Sequence, residues 1–129
     1  TLRELCQEMH DLYVSFDVKD LQKAMFRQES FPTVALNPQD AHSAFIRGDV
    51  ELVRIRDAEG RIAAEGALPY PPGVLCVVPG EVWGGAVQRY FLALEEGVNM
   101  LPGFSPELQG VYSETDADGI KRLYGYVLK

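Results

Sequence analysis

Between Leu68 and Gly80 the chain reads Leu-Pro-Tyr-Pro-Pro-Gly-Val-Leu-Cys-Val-Val-Pro-Gly, with four prolines in thirteen residues. No other stretch restricts the fold as much. Each proline fixes its own φ and removes a backbone donor, so neither a helix nor a central strand can pass through Pro69–Pro72. Pro72-Gly73 suits the two centre positions of a type II turn. Val74 to Val78 is an unbroken apolar run between breakers, the pattern of a strand buried on both faces.

Before this segment the periodicity is helical, then alternating. Leu2, Leu5, Cys6, Met9, Leu12, Tyr13 and Phe16 fall three or four apart, opposite Arg3, Glu4, Gln7, Glu8 and Asp11. Thr1 with Glu4 forms the pattern of a capping box. Asp17 can cap a second helix carrying Val18, Leu21 and Met25, which Phe31-Pro32 ends. Asn37-Pro38-Gln39-Asp40 is a third helix start, and Gly48 its stop. Val50, Leu52, Val53 and Ile55 then predict a strand. The turn Asp57–Gly60 and the stretch Arg61–Ala67 complete a predicted hairpin.

After the segment, Glu81 onward is predicted helical. Trp83, Ala86, Val87, Tyr90, Phe91 and Leu94 share one face, and Gly97 is the expected stop. Gly84 and Gly85 cost about 1 kcal/mol each in a helix, so they are expected to mark close approach of another backbone. Gly110–Ser113 and Ile120–Leu128 predict a second hairpin around Asp116-Ala117-Asp118-Gly119. Strands and helices do not alternate strictly, so the fold class is α+β: N-terminal helices, two β-hairpins, a buried strand and one long amphipathic helix.

The length, 129 residues, fits one domain able to bury a core. The net charge of −7 and the lack of a basic run argue against nucleic acid and against anionic membrane surfaces. No apolar run approaches the ~20 residues of a membrane span. The opening Leu2-Arg3-Glu4-Leu5 does not read as a signal peptide. Two cysteines without paired spacing, Cys6 and Cys76, fit a reduced, cytoplasmic protein. The chain begins at Thr1 rather than Met, which fits ordinary processing and equally a piece cut from a longer polypeptide.

No catalytic constellation assembles from these residues alone. His10 and His42 lie on different helices without a metal-ligand pattern, and read as surface or structural histidines. Cys6 and Cys76 read as small core hydrophobes, with no base nearby to lower a thiol pKa. Glu114, Asp116, Asp118 and Gly119 resemble the first half of a calcium loop, but its twelfth position holds Gly125 instead of a glutamate, so a polar hairpin tip is expected. No phosphate loop is present. Glu81 reads either as favourable charge at a helix start or as a carboxylate facing a cationic ligand. Tyr70, held among prolines, reads as packing against the hairpin or as a rigid contact for a partner.

The stretch Leu68-Pro-Tyr-Pro-Pro-Gly-Val, followed by Val78-Pro-Gly-Glu81, resembles the signature of the C-terminal domain of bacterial pyridoxal-phosphate-dependent ornithine/lysine/arginine decarboxylases. The resemblance covers essentially the whole chain, including Thr1–His10 and Leu101–Tyr112. Glu81–Phe91 and Glu95–Asn99 are most similar to the ornithine branch. The resemblance implies a longer parent, catalysing conversion of L-ornithine to putrescine and CO2, with the cofactor lysine in a Ser-x-His-Lys motif. That motif is missing here: His10 precedes Asp11, and His42 precedes Ser43.

The implied role is therefore an accessory domain, without catalytic, cofactor-binding or metal-binding residues of its own. It would pack near the active-site entrance and the subunit interface of a homo-oligomer, against the remaining domains of the same polypeptide. Glu81 and Tyr70 are its substrate-channel candidates. Pro71, Pro72, Gly73, Trp83, Gly84 and Gly85 are its packing candidates. Two alternatives stay open from the residues themselves, a stand-alone binding module and a small independent enzyme. The last would need a pocket of coupled titratable groups, which these residues do not supply.

Overall fold

The computed structural model describes residues 1–129 as an α+β fold. Helices α1 (Leu2–Ser15), α2 (Val18–Met25) and α3 (Pro38–Arg47) precede strand β1 (Val50–Arg54). Strand β2 (Leu68–Tyr70), helix α4 (Gly85–Met100) and strands β3 (Glu107–Gln109), β4 (Tyr112–Thr115) and β5 (Lys121–Leu128) follow. Antiparallel β1-β5-β4 form one sheet, and β2-β3 a second, two-stranded one. Register in the larger sheet places Leu52 opposite Tyr126, and Tyr112 opposite Tyr124.

Local chemistry explains the helix ends. Thr1 and Glu4 form the capping box of α1. The Asn37 side chain accepts from the Asp40 amide at 2.9 Å, Pro38 opens α3, and Gly48 closes it at φ 81°. Asp17 precedes α2 at φ 51° but makes no side-chain capping bond.

The core lies between α4 and one face of β5. Leu123, Gly125 and Val127 alternate inward along β5 and meet Trp83, Val87 and Phe91. Trp83 and Phe91 pack edge to face, their centroids 5.5 Å apart. A Cβ on Gly125 would come within 3.0 Å of Ile55 and 3.8 Å of Trp83, so the bare glycine lets these side chains seat against the strand.

Several elements differ from the sequence reading. The predicted first hairpin does not form. β1 pairs with the last strand, because the chain turns out of the sheet at Ile55–Asp57, a 3-10 turn that buries Ile55 completely. Arg61–Ala67 instead crosses the end of β5, where the Ala64 amide donates to the Tyr126 carbonyl and the Leu128 amide to that of Ile62, both at 2.9 Å. Val74–Val78 is not a buried strand. Val74 and Leu75 are exposed, and only Val77 enters the core, bridging to Ala67.

Helix α4 starts at Gly85, not Glu81, because Glu81 and Val82 are engaged in bridges to Val34 and Ile62. It also runs past Gly97, which is buried against Phe104, to Met100. The expected crowding at Gly84 and Gly85 is not found within the chain: nothing lies within 4 Å of a Cβ on Gly85, and only the Glu59 side chain, at 3.9 Å, approaches Gly84. Gly85 is instead suited to its φ of 57°. The second hairpin forms as β4–β5.

The accessible surface is 8108 Å². A self-contained domain of this mass exposes about 6800 Å². Seventeen large hydrophobic residues are exposed, and five of them lie on α1: Leu2, Leu5, Met9, Tyr13 and Val14.

Candidate functional site

The proline-rich segment is a rigid projection from the small sheet. β2 pairs with β3, placing Tyr70 opposite Glu107 rather than against the unformed hairpin. The Tyr70-Pro71 and Pro71-Pro72 peptides are both cis. The expected type II turn centred on Pro72-Gly73 is replaced by a wider one, in which the Gly73 amide donates to the Pro69 carbonyl at 3.2 Å. Gly73 keeps the positive φ, 78°, and lies under the Tyr70 ring, which a Cβ there would meet at 3.1 Å. Tyr70, Val74 and Leu75 are each about half exposed, at 53%, 50% and 48%, so an aromatic and two aliphatic side chains face outward from this loop.

At the other end of the segment, Val78–Glu81 is a tight clamp. The Glu81 side chain accepts from the Val78 amide at 2.8 Å, and the Glu81 amide donates to the Val78 carbonyl at 3.0 Å. The Gly80 carbonyl accepts from the Ala35 and Leu36 amides at 2.9 and 3.0 Å. Gly80 sits at φ 92°, and a Cβ there would fall 2.2 Å from the Leu36 carbonyl oxygen. Glu81 is thus half-buried, away from a helix start, with one carboxyl oxygen committed to the backbone. Tyr70 and Glu81 stand at opposite ends of this segment. Trp83 is buried in the core, and its amide donates to the Arg61 carbonyl at 2.9 Å.

Two recesses flank α4. An open cleft of about 1170 Å³ between α2 and α4 carries Arg27, Arg56 and Arg89 together with Asp17, Asp20 and Glu96, so the two signs balance. A smaller groove of about 250 Å³, formed by α1, α2 and α4, is apolar and lined by Leu12, Phe16, Leu21, Tyr90 and Leu94.

Two buried polar groups were not anticipated from the sequence. Glu95 accepts from the Leu123 amide at 2.7 Å, joining α4 to β5, and Gln88 donates to the Ile55 carbonyl at 2.8 Å. The spacing Val87, Phe91, Glu95 is the signal that finds the first, since steps of four keep a residue on the same helix face. Tyr112 donates to the Glu65 carboxylate at 2.8 Å, and that bond pushes the phenol up to about 12, with burial adding to it.

His10, His42 and Cys6 are exposed, so Cys6 is not a core residue. Cys76 is half-buried, and burial raises its thiol. Asp116 pairs with Arg122 at 2.9 Å, and Asp118 accepts from the Ile120 amide, which makes the acidic run a hairpin tip. No group of three or more His, Cys, Asp and Glu side chains is arranged around a metal-sized space.

Comparison with known proteins supplies what this geometry cannot. Residues 19–129 match the family model described as Orn/Lys/Arg decarboxylase, C-terminal domain. The chain belongs to this family. All 129 residues align at 94% identity with the constitutive ornithine decarboxylase of Escherichia coli K12, and at 72% with the inducible ornithine decarboxylase of that strain. Each alignment spans 100% of the chain but only 18% of the relative.

Lysine decarboxylase A from Pseudomonas aeruginosa has the same fold, with a TM-score of 0.82 at 31% identity over 100% of this chain and 17% of that one. The inducible lysine decarboxylase of Escherichia coli K12 is 35% identical and the biodegradative arginine decarboxylase 32%, against 94% for the constitutive ornithine enzyme. The chain therefore sits with the ornithine branch.

Pyridoxal phosphate, which the family resemblance implies, does not fit the residues present. The four lysines, Lys19, Lys23, Lys121 and Lys129, are all exposed, and none borders either recess.

Proposed function

We propose that this chain is the C-terminal accessory part of a pyridoxal-phosphate-dependent ornithine decarboxylase that converts L-ornithine to putrescine and CO2. The observation that carries the reading is the 94% identity to an ornithine decarboxylase over a stretch that is only 18% of that protein. Cofactor chemistry then belongs to the remainder, where an imine-forming lysine and an electron-sink cofactor act together. The role left to this part is packing: against the rest of its own polypeptide, near the active-site entrance, and within a homo-oligomer in the cytoplasm.

Tyr70 and Glu81 are its proposed channel residues. Tyr70 is an exposed phenol on a proline-stiffened loop, and Glu81 carries a second carboxyl oxygen beyond the one that accepts from Val78. The test is steady-state decarboxylation by the intact parent enzyme. Wild-type parent releases CO2 from ornithine, and the 129-residue part alone does not. Glu81→Gln keeps an oxygen for the Val78 amide and removes only charge, so KM for the diamino acid rises several-fold while kcat holds. Unchanged kinetics exclude Glu81 from the channel, and a parent inactive on ornithine refutes the function itself.

A further inference from the structure

We infer that the apolar stripe of α1 docks onto the stretch of polypeptide that runs into Thr1 in the longer parent, and that α1 belongs to that upstream body rather than to the C-terminal domain. The inference rests on the proposed function only in requiring a longer parent.

Four observations converge on it. No residue of α1 is buried, although Leu2, Leu5, Cys6 and Met9 recur at i, i+3, i+4 and i+7. Leu2, Leu5 and Met9 are 77%, 53% and 47% exposed, and the helix is held to the rest of the chain only at its far end, where Leu12 and Phe16 enter the small groove. A helix of this length is marginal by itself in water, and its capping box stabilises only the first turn. The stripe therefore calls for a cover.

The second observation is the start of the family model at residue 19, immediately after α1, whereas the ornithine decarboxylases align through all 129 residues. The relatives share the residues of α1, yet these fall outside the matched family model. Third, the α1–α2 junction holds the only non-glycine residue at positive φ, Asp17, so the helix is interrupted two residues before the matched family model begins. Fourth, the surface of 8108 Å² exceeds the ~6800 Å² of a closed domain of this mass by an amount typical of one inter-domain interface.

Chain geometry selects the occupant. The polypeptide entering Thr1 arrives beside Leu2 and Leu5, and consecutive elements usually pack on one another. A second copy of α1 would offer one narrow helix face, well short of the ~800 Å² per partner of a stable dimer.

The test uses the intact parent enzyme and a probe already in place, since Cys6 lies in the stripe. Alkylation of native enzyme is followed by peptide mass spectrometry for Cys6 and for a Gln7→Cys variant, whose thiol lies on the opposite face. Cys6 reacts about ten-fold or more slowly than the thiol at position 7, and the two rates converge in denaturant. A photo-crosslinking amino acid at position 5 then captures residues just upstream of Thr1 in the same polypeptide. Equal native rates overturn the inference, and so does a crosslink to another subunit or to any other surface. The two readings separate cleanly: a parent that decarboxylates ornithine with Cys6 fully reactive sinks only the docking, and one that protects Cys6 but leaves ornithine intact sinks only the function.

Discussion

Glu95 shows how one side chain joins two layers. It is 5% exposed and its carboxyl oxygen takes the Leu123 amide at 2.7 Å, so truncation leaves a buried donor without a partner. Glu95→Ala should cost about 2–3 kcal/mol in urea unfolding of the chain, whereas Glu95→Gln, which keeps an acceptor, should stay within about 1 kcal/mol. Tyr112 yields a pH-dependent counterpart. Its hydrogen bond to Glu65 favours the neutral phenol and raises it to about 12, above the ordinary 10. A group raised in the folded state contributes its stability in full below the unfolded value and loses it as pH climbs through the folded one. The difference in melting temperature between wild type and Tyr112→Phe is therefore constant up to about pH 10 and vanishes towards pH 12. Because Tyr112 is 41% exposed, solvent screening keeps that difference small. Tyr112 marks a limit of sequence reading: Glu65 is forty-seven residues away, and no local pattern announces the pair.

Elements differ in how far their own residues determine them. The caps at Thr1 and Asn37 and the stop at Gly48 lie within one turn of the groups they satisfy, so those helix ends are legible in the sequence. The β4–β5 hairpin is legible for the same reason, through its polar tip. β1 is legible as a strand but not in its pairing, because alternation predicts a face and not a partner. The Val74–Val78 run misleads because Val74 and Leu75 stay exposed and only Val77 is fully buried. Exposure also orders the energetics. Phe91 is fully buried against Trp83, so Phe91→Ala should cost about 3–5 kcal/mol. Leu5→Ala, on a helix with no buried residue, should leave unfolding of the 129-residue chain within about 0.5 kcal/mol. A large loss for Leu5→Ala would mean that α1 packs on this chain in solution.

At the scale of the whole molecule, the decisive property is that the chain spans only 18% of the ornithine decarboxylases it matches. Family membership was legible through the proline-rich signature, while the site was legible only as candidates, because neither Tyr70 nor Glu81 lines either recess beside α4. The exposed loop at Tyr70, Val74 and Leu75 and the bare stripe of α1 lie on different elements, which suits a part held by more than one neighbour. With the proposed function, such a part would influence stability and access more than choice of substrate, since selection between diamino acids differing by one methylene is made where the substrate is enclosed. A chimera carries this consequence. In a parent ornithine decarboxylase, residues 1–129 are replaced by the equivalent part of the inducible lysine decarboxylase, which is 35% identical. That protein should keep its preference for ornithine over lysine in kcat/KM. It should also melt at a lower temperature, because the new surfaces no longer match the old ones. A preference turned towards lysine would place the selecting contacts in this C-terminal part, and would make Tyr70 and Glu81 the first positions to exchange singly.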